Sequence, residues 1–391
     1  MEKNLVLTTI EEVYQDVITW RRQFHENPEL SFQEFRTSQY VYDLLESFGG
    51  FELSRPTKTS VVARLKGSKP GKVIALRADM DALPIQEETG LPFASKKDGV
   101  MHACGHDGHT AMLLGAAKVL KDYKESLSGE IVFLFQHGEE LQPGGAREMV
   151  QAGVLEGVDQ VAGIHLMSTM PYGTIGIRKG SITSASDIFT ITVQGKGGHS
   201  STPELTIDPL AIGAQIVMGL NHIVSRSVGA LDSAVLSVTR FHAGDAFNVI
   251  PDTVEIGGSV RTLAQSVREL VKKRISEVTE GIAKANGAAV KVDYIYGYDP
   301  VINDSDVTEQ VASVIEEQLD GSLEWVPPML GGEDFSAFTN EKPGCFVFIG
   351  SGNEAKGIVY PHHHPKFDLD ERAMKEGLKF HVFTALTLTN Q

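Results

Sequence analysis

Apolar residues in this chain come in short unbroken runs, and the runs end on polar groups. KVIALRADMD, from Lys72, closes on Asp79 and Asp81, and GEIVFLFQHGEE closes on Glu139 and Glu140. DQVAGIHL delivers His165, and GCFVFIG is followed by YPHHHPKFDLDE. Such runs, rich in β-branched and aromatic residues, predict strands. TAMLLGAAKVLKDYKESL and GGAREMVQAGVL, between them, are spaced as helices. Strands alternating with helices predict an α/β fold with a mostly parallel sheet. Ligand sites in such sheets form beyond the carboxyl ends of the strands, where these polar groups fall.

The rhythm changes in the middle of the chain. Strand-like SDIFTITVQG precedes a helix near 208–227, then come strands SAVLSVTRFH and DTVEIGGSVRT, a helix near 265–286, and strand AAVKVDYIYG. This is the β-α-β-β-α-β order of a ferredoxin-like unit. The expected organisation is a first domain over 1–183, an inserted domain over 184–294, and a return to the first over 295–391.

A length of 391 residues agrees with two domains, since a single core seldom grows so large. The net charge of −16 argues against binding nucleic acid through phosphates. No apolar run is long enough to cross a bilayer, so no membrane partner is expected. The start, MEKNLVLTTIEEVYQDVITW, lacks the pattern of a secretory signal, which makes the cytoplasm the expected location. The two cysteines, Cys104 and Cys345, do not make a disulfide framework, and Cys345 in CFVFIG reads as a buried thiol.

The densest chemistry is HACGHDGHT at 102–110, which holds three histidines, Cys104 and Asp107 in a glycine-containing loop opening a helix. Cys104 and His106, two positions apart, offer a thiolate and an imidazole to one cation; a solvated loop is the alternative. Glu139 and Glu140 suit a metal-assisted hydrolysis, one carboxylate binding the cation while its neighbour moves a proton. They equally suit an exposed turn. His165 reads as a ligand or a core histidine, and His362–His364 as a ligand source or a turn. Asp81 can orient a ligating histidine through its second ring nitrogen, or cap a turn. HENPE lacks the second histidine of a zincin helix, and there is no Gly-x-Ser-x-Gly elbow or phosphate-binding loop.

FHENPELSFQEFRTS, ALRADMDALPI, HACGHDGHTAMLLGAA, GEE, GIHL, GKGGHSS, FNVIPD and GGEDFS follow one another along nearly the whole chain. In these the sequence resembles the dinuclear metallopeptidase superfamily of aminoacylases and carboxypeptidases. It is most similar to the branch of hippurate hydrolases, N-acyl-L-amino acid amidohydrolases and indoleacetyl-amino-acid hydrolases. The resemblance implies two divalent ions, zinc or manganese with cobalt or nickel as options, held by Cys104, His106, Glu140, His165 and His363. It implies Glu139 as general acid/base with Asp81 in support. His199 would stabilise the oxyanion and bind substrate with Asn248 and Arg261. The inserted domain would serve as lid and homodimer contact. The implied activity is hydrolysis of N-acyl amino acids. A metallo-carboxypeptidase or dipeptidase, an N-acetyl-diaminopimelate deacetylase and a noncatalytic metal-dependent binding protein are the alternatives.

Overall fold

A computed structural model describes residues 3–390. They form two compact units: one holds the chain up to Ile182, Val301–Pro327 and everything from Asp334, the other Thr183–Pro300 and Pro328–Glu333.

The first unit is built on an eight-stranded sheet. Its order is Glu52–Ser54, Val61–Lys66, Ser128–Gln136, Lys69–Asp79, Gln160–Pro171, Gly344–Gly352, Thr174–Ile177 and Ser322–Trp325. The central strands run parallel, Lys69–Asp79 lying between Ser128–Gln136 and Gln160–Pro171, with Gly344–Gly352 beyond. Glu52–Ser54, Val61–Lys66 and Thr174–Ile177 each make an antiparallel pair with a neighbour. Four of its seven neighbour pairings are parallel, as expected of a mostly parallel sheet, and the antiparallel ones lie outside the central strands. The physical reason lies in the connections: parallel neighbours need a long crossover, whereas short turns reverse the chain. Ser128–Gln136 follows Lys69–Asp79 only after the helix His106–Lys121, whereas Gly173, at φ +94°, turns the chain into Thr174–Ile177.

The parallel strands are buried where they run toward the polar clusters, all six residues from Ile74 to Asp79 and from Ile131 to Gln136 being buried. The helix His106–Lys121 is buried on all sides but for two lysines, as befits an apolar helix covered by others. The helices Lys3–Glu26 and Ala373–Thr389 pack against it. Among the described residues no helix is long and apolar enough to cross a membrane.

The second unit is an antiparallel sheet ordered Ala234–His242, Thr253–Thr262, Ala185–Gln194, Ala289–Ile295. The helices Pro209–Ser227 and Gln265–Ala285 pack on each other and on this sheet. With the strands numbered along the chain the order is 2-3-1-4, that of a ferredoxin-like unit. Ile191, Val193, Ile216, Ile256, Val271 and Ile275 form its core. Asp208 caps the first helix by accepting from the Leu210 and Ala211 amides, with Pro209 in its first turn. The unit continues past the expected boundary at 294 as far as Pro300, and it includes 328–333. Hydrogen bonds from Ser186 N to Tyr298 O (3.1 Å) and from Ser184 N to Gly331 O (3.0 Å) hold these stretches to it.

Candidate metal centre

Two strand ends, the middle of a third strand and two loops of the first unit supply the chemistry. Past Lys69–Asp79 the chain extends to Asp81; past Ser128–Gln136 it turns through Gly138 into Glu139 and Glu140; Gln160–Pro171 carries His165. Gly138 has φ +61°, and a Cβ there would stand 2.8 Å from the Phe32 ring, so the turn requires glycine. Gly105, at φ +90°, starts the helix His106–Lys121, and its left-handed backbone separates Cys104 from His106.

These side chains converge. Cys104 Sγ lies 3.4 Å from His165 Nε2. His106 donates from Nδ1 to the Asp81 carbonyl (3.0 Å) and faces Asp81 Oδ1 at 3.2 Å, so Nε2 is its free nitrogen. That nitrogen is buried, without a hydrogen-bond partner, and 4.0 Å from Glu140 Oε1, which is itself buried and without one. His363 Nε2 approaches the same Glu140 oxygen at 3.2 Å. In three overlapping groups, Cys104–His106–His165, Cys104–Glu140–His363 and His106–Glu139–Glu140, the candidate ligand atoms lie within 4.8 Å of one another. Buried imidazole and carboxylate atoms left without partners, beside a thiol, make a donor set that fits a divalent cation.

The electrostatics point the same way. Burial pulls the His106 pKa down, but the charges of Asp79, Asp81 and Glu140 outweigh it and lift the value to about 10. Burial, then Glu140, Glu139 and Asp79, pushes the Cys104 thiol well above its ordinary range. A divalent cation bound here would reverse both effects by taking the place of the protons. Burial, followed by His109 and His362, holds His165 well below 6.5, so its ring stays neutral and able to ligate.

The histidine run resolves into three roles. His363, at φ +65° and with its amide donating to Ala103 O (2.8 Å), turns toward Glu140. His362 donates from Nε2 to the Leu166 carbonyl at 2.8 Å, and His364 stacks on Tyr360. A left-handed non-glycine backbone such as that of His363 is uncommon outside functional or strained sites.

Several supports escaped the sequence reading. Buried Glu34 accepts from the Gly138 amide (2.8 Å) and from Thr59 Oγ1 (2.9 Å), fixing the turn before Glu139 from 104 residues away. Asp81 Oδ2 accepts from the Glu140 amide at 2.9 Å and from Ser31 Oγ at 2.7 Å. Arg77 bridges Gln136, Asp79 and Asp334, the last in GGEDFS, through bonds of 2.6–2.9 Å. Asp107 meets Arg21 and His25, each at 2.8 Å, and ties the helix His106–Lys121 to Lys3–Glu26. Only the neighbouring motifs hinted at these groups. Both His102 ring nitrogens are buried without a partner.

The expected substrate residues belong to the second unit. His199 pairs with Val249 in a short two-stranded sheet, and Asn248, in the turn just before that partner strand, accepts from the Ser200 amide at 3.1 Å through its carbonyl. His199 Nδ1 accepts from the Ser201 amide at 3.1 Å, leaving Nε2 exposed. Arg261 lies on Thr253–Thr262 opposite Ser186 and Val235. It makes no hydrogen bond or ion pair among the described residues.

The pattern of peptidase family M20/M25/M40 matches residues 75–387. The N-acyl-L-amino acid amidohydrolase of Geobacillus stearothermophilus is 57% identical over 303 residues, 78% of this chain and 82% of that protein. Thermostable carboxypeptidase 2 of Saccharolobus solfataricus is 42% identical, and the match covers 98% of both chains. The crystal structure of a dinuclear metal-binding M20 peptidase of Bacillus subtilis superposes with a TM-score of 0.86 at 38% identity, covering 97% of this chain and 99% of that one.

Proposed function

This chain belongs to peptidase family M20/M25/M40 and is a metal-dependent amidohydrolase, and we propose that it releases amino acids from N-acyl amino acids. The observation that carries the reading is the meeting of Cys104, His106, Glu140, His165 and His363, with His106 Nε2 and Glu140 Oε1 buried and without a hydrogen-bond partner and Glu139 beside them.

Cys104, His106, Glu140, His165 and His363 would hold two divalent ions, zinc or manganese, which when bound would supply Lewis-acid chemistry at a carbonyl and a nucleophile at neutral pH. Glu139, nearly buried, takes a proton from the attacking water and delivers it to the departing amine nitrogen. Asp81 locks His106 in the tautomer that leaves Nε2 for ligation. His199 is assigned to the developing oxyanion, Arg261 to the substrate carboxylate as a bidentate donor, and Asn248 to a further hydrogen bond. The half-buried, unpaired guanidinium of Arg261 supports its part: burial lowers its pKa, against the opposing charge of Asp187. A homodimer and a cytoplasmic location complete the reading.

The test is a panel assayed with metal-stripped protein reloaded with zinc or manganese. N-acyl amino acids should be cleaved only after reloading, and faster than dipeptides with a free amine. Preference for free-amine peptides selects the carboxypeptidase reading, which the 42% identical relative favours. No cleavage with any metal leaves a metal-binding protein without this activity.

A further inference from the structure

Three histidines converge on the backbone of Leu166, one on its N–H and two on its carbonyl, in the two peptide groups that flank its Cα. Its N–H donates to His109 Nε2 at 2.9 Å, and its carbonyl accepts from His165 Nδ1 and from His362 Nε2, both at 2.8 Å. An amide N–H can only donate, so His109 Nε2 carries no proton. The ring proton then sits on His109 Nδ1, where Asp79 Oδ1 accepts it at 2.6 Å. A carbonyl can only accept, so His165 Nδ1 is protonated and its Nε2, 3.4 Å from Cys104 Sγ, keeps the lone pair. Asp79 is held in turn by Arg77 Nη1 at 2.6 Å.

His109 stands close enough to Asp79 and His106 to share a cation with them, yet both its ring nitrogens are engaged. We propose that His109 is a positioning residue: backed by Asp79, it fixes the His165–Leu166 peptide through its N–H, and so holds the backbone of Leu166, whose carbonyl sets the tautomer and aim of His165. This rests on the reading of His165 as a metal ligand. Without the His109 acceptor the buried Leu166 N–H loses its partner, and the peptide is released to turn or to take in water. That peptide joins His165 to Leu166, so its turning changes the backbone angles on both sides, moving the seat of the His165 side chain and the Leu166 carbonyl that orients two histidines.

The experiment compares His109→Gln with His109→Met. The glutamine carbonyl can still accept from Leu166 N–H, while methionine fills the space without an acceptor. Metal-stripped proteins are titrated with cobalt(II) against a competing chelator, following the thiolate-to-cobalt absorption band, with Cys104→Ala as control. His109→Met should bind one of the two ions about 10- to 100-fold more weakly, while His109→Gln stays close to the parent protein. Ring 15N–1H correlation spectra of the metal-free parent protein should show His109 and His165 both protonated on Nδ1; they decide the matter even if the methionine variant does not fold. Parent-like affinity in His109→Met, equal weakening in both variants, or a His109 proton on Nε2 overturns the proposal. A parent protein that gives no thiolate band with cobalt overturns the metal centre itself, and the positioning role falls with it.

Discussion

At the scale of single residues, the site works by leaving a few atoms without partners and satisfying everything around them. His106 shows this: one nitrogen is spent on Asp81 and the other is kept free. Glu34 does the supporting work and shows its cost. Burial, reinforced by the charge of Asp81, raises its pKa from 4.5 to about 7. The folded chain thus holds a proton there that the unfolded chain has released. The stabilisation is complete below pH 4.5 and lost as pH rises through about 7. Glu34→Gln in metal-free protein should flatten the fall in stability across that window, as thermal unfolding at a series of pH values would reveal; an unchanged slope would remove Glu34 as its source. Cys104, His106 and the adjacent glutamates were legible in the sequence because their types sit side by side in compact motifs. The role of Leu166 was not, because it resides in a backbone amide that any residue offers. Glu34 was hidden because its partner lies 104 positions along the chain.

At the scale of elements, the helix His106–Lys121 presents its first residue to the site and buries the remainder except Lys118 and Lys121. Its helical spacing made it legible, as did the strand runs before Asp79, Gln136 and His165. The mixed direction of the outer strands was not legible, since pairing partners depend on how connections fold back. The start of this helix is anchored by Asp107, whose carboxyl is held far below its usual range: burial opposes ionisation, and Arg21 and His25 more than offset it. Arg21 is fully buried, so Arg21→Met leaves Asp107 charged and poorly matched in the interior. Breaking such a pair costs about 3–5 kcal/mol, and the loss should appear in denaturant unfolding. A change below about 1 kcal/mol, as for exposed pairs, would show that the anchor adds little.

At the scale of the whole chain, two units with separate cores divide the candidate residues: the proposed metal ligands all fall in the first, and His199, Asn248 and Arg261 in the second. The inserted unit was legible from the change of rhythm in the sequence. The stretch 328–333 joins it through backbone contacts that no periodicity announces. Ions that bind only the folded chain stabilise it by mass action, by about 4 kcal/mol at a thousandfold excess over the dissociation constant. Chelation should therefore lower the calorimetric unfolding midpoint and reloading should restore it; a midpoint indifferent to both would argue against a built metal centre.

The central claim is that Glu139 moves the proton in a metal-assisted hydrolysis while its neighbours hold the ions. The most direct measurement is the rate of N-acyl amino acid cleavage by Glu139→Gln together with its metal content by elemental analysis. Two ions per chain with a rate lowered by about 10²- to 10⁴-fold is the result predicted. A rate near that of the parent protein, with the same metal content, would contradict it.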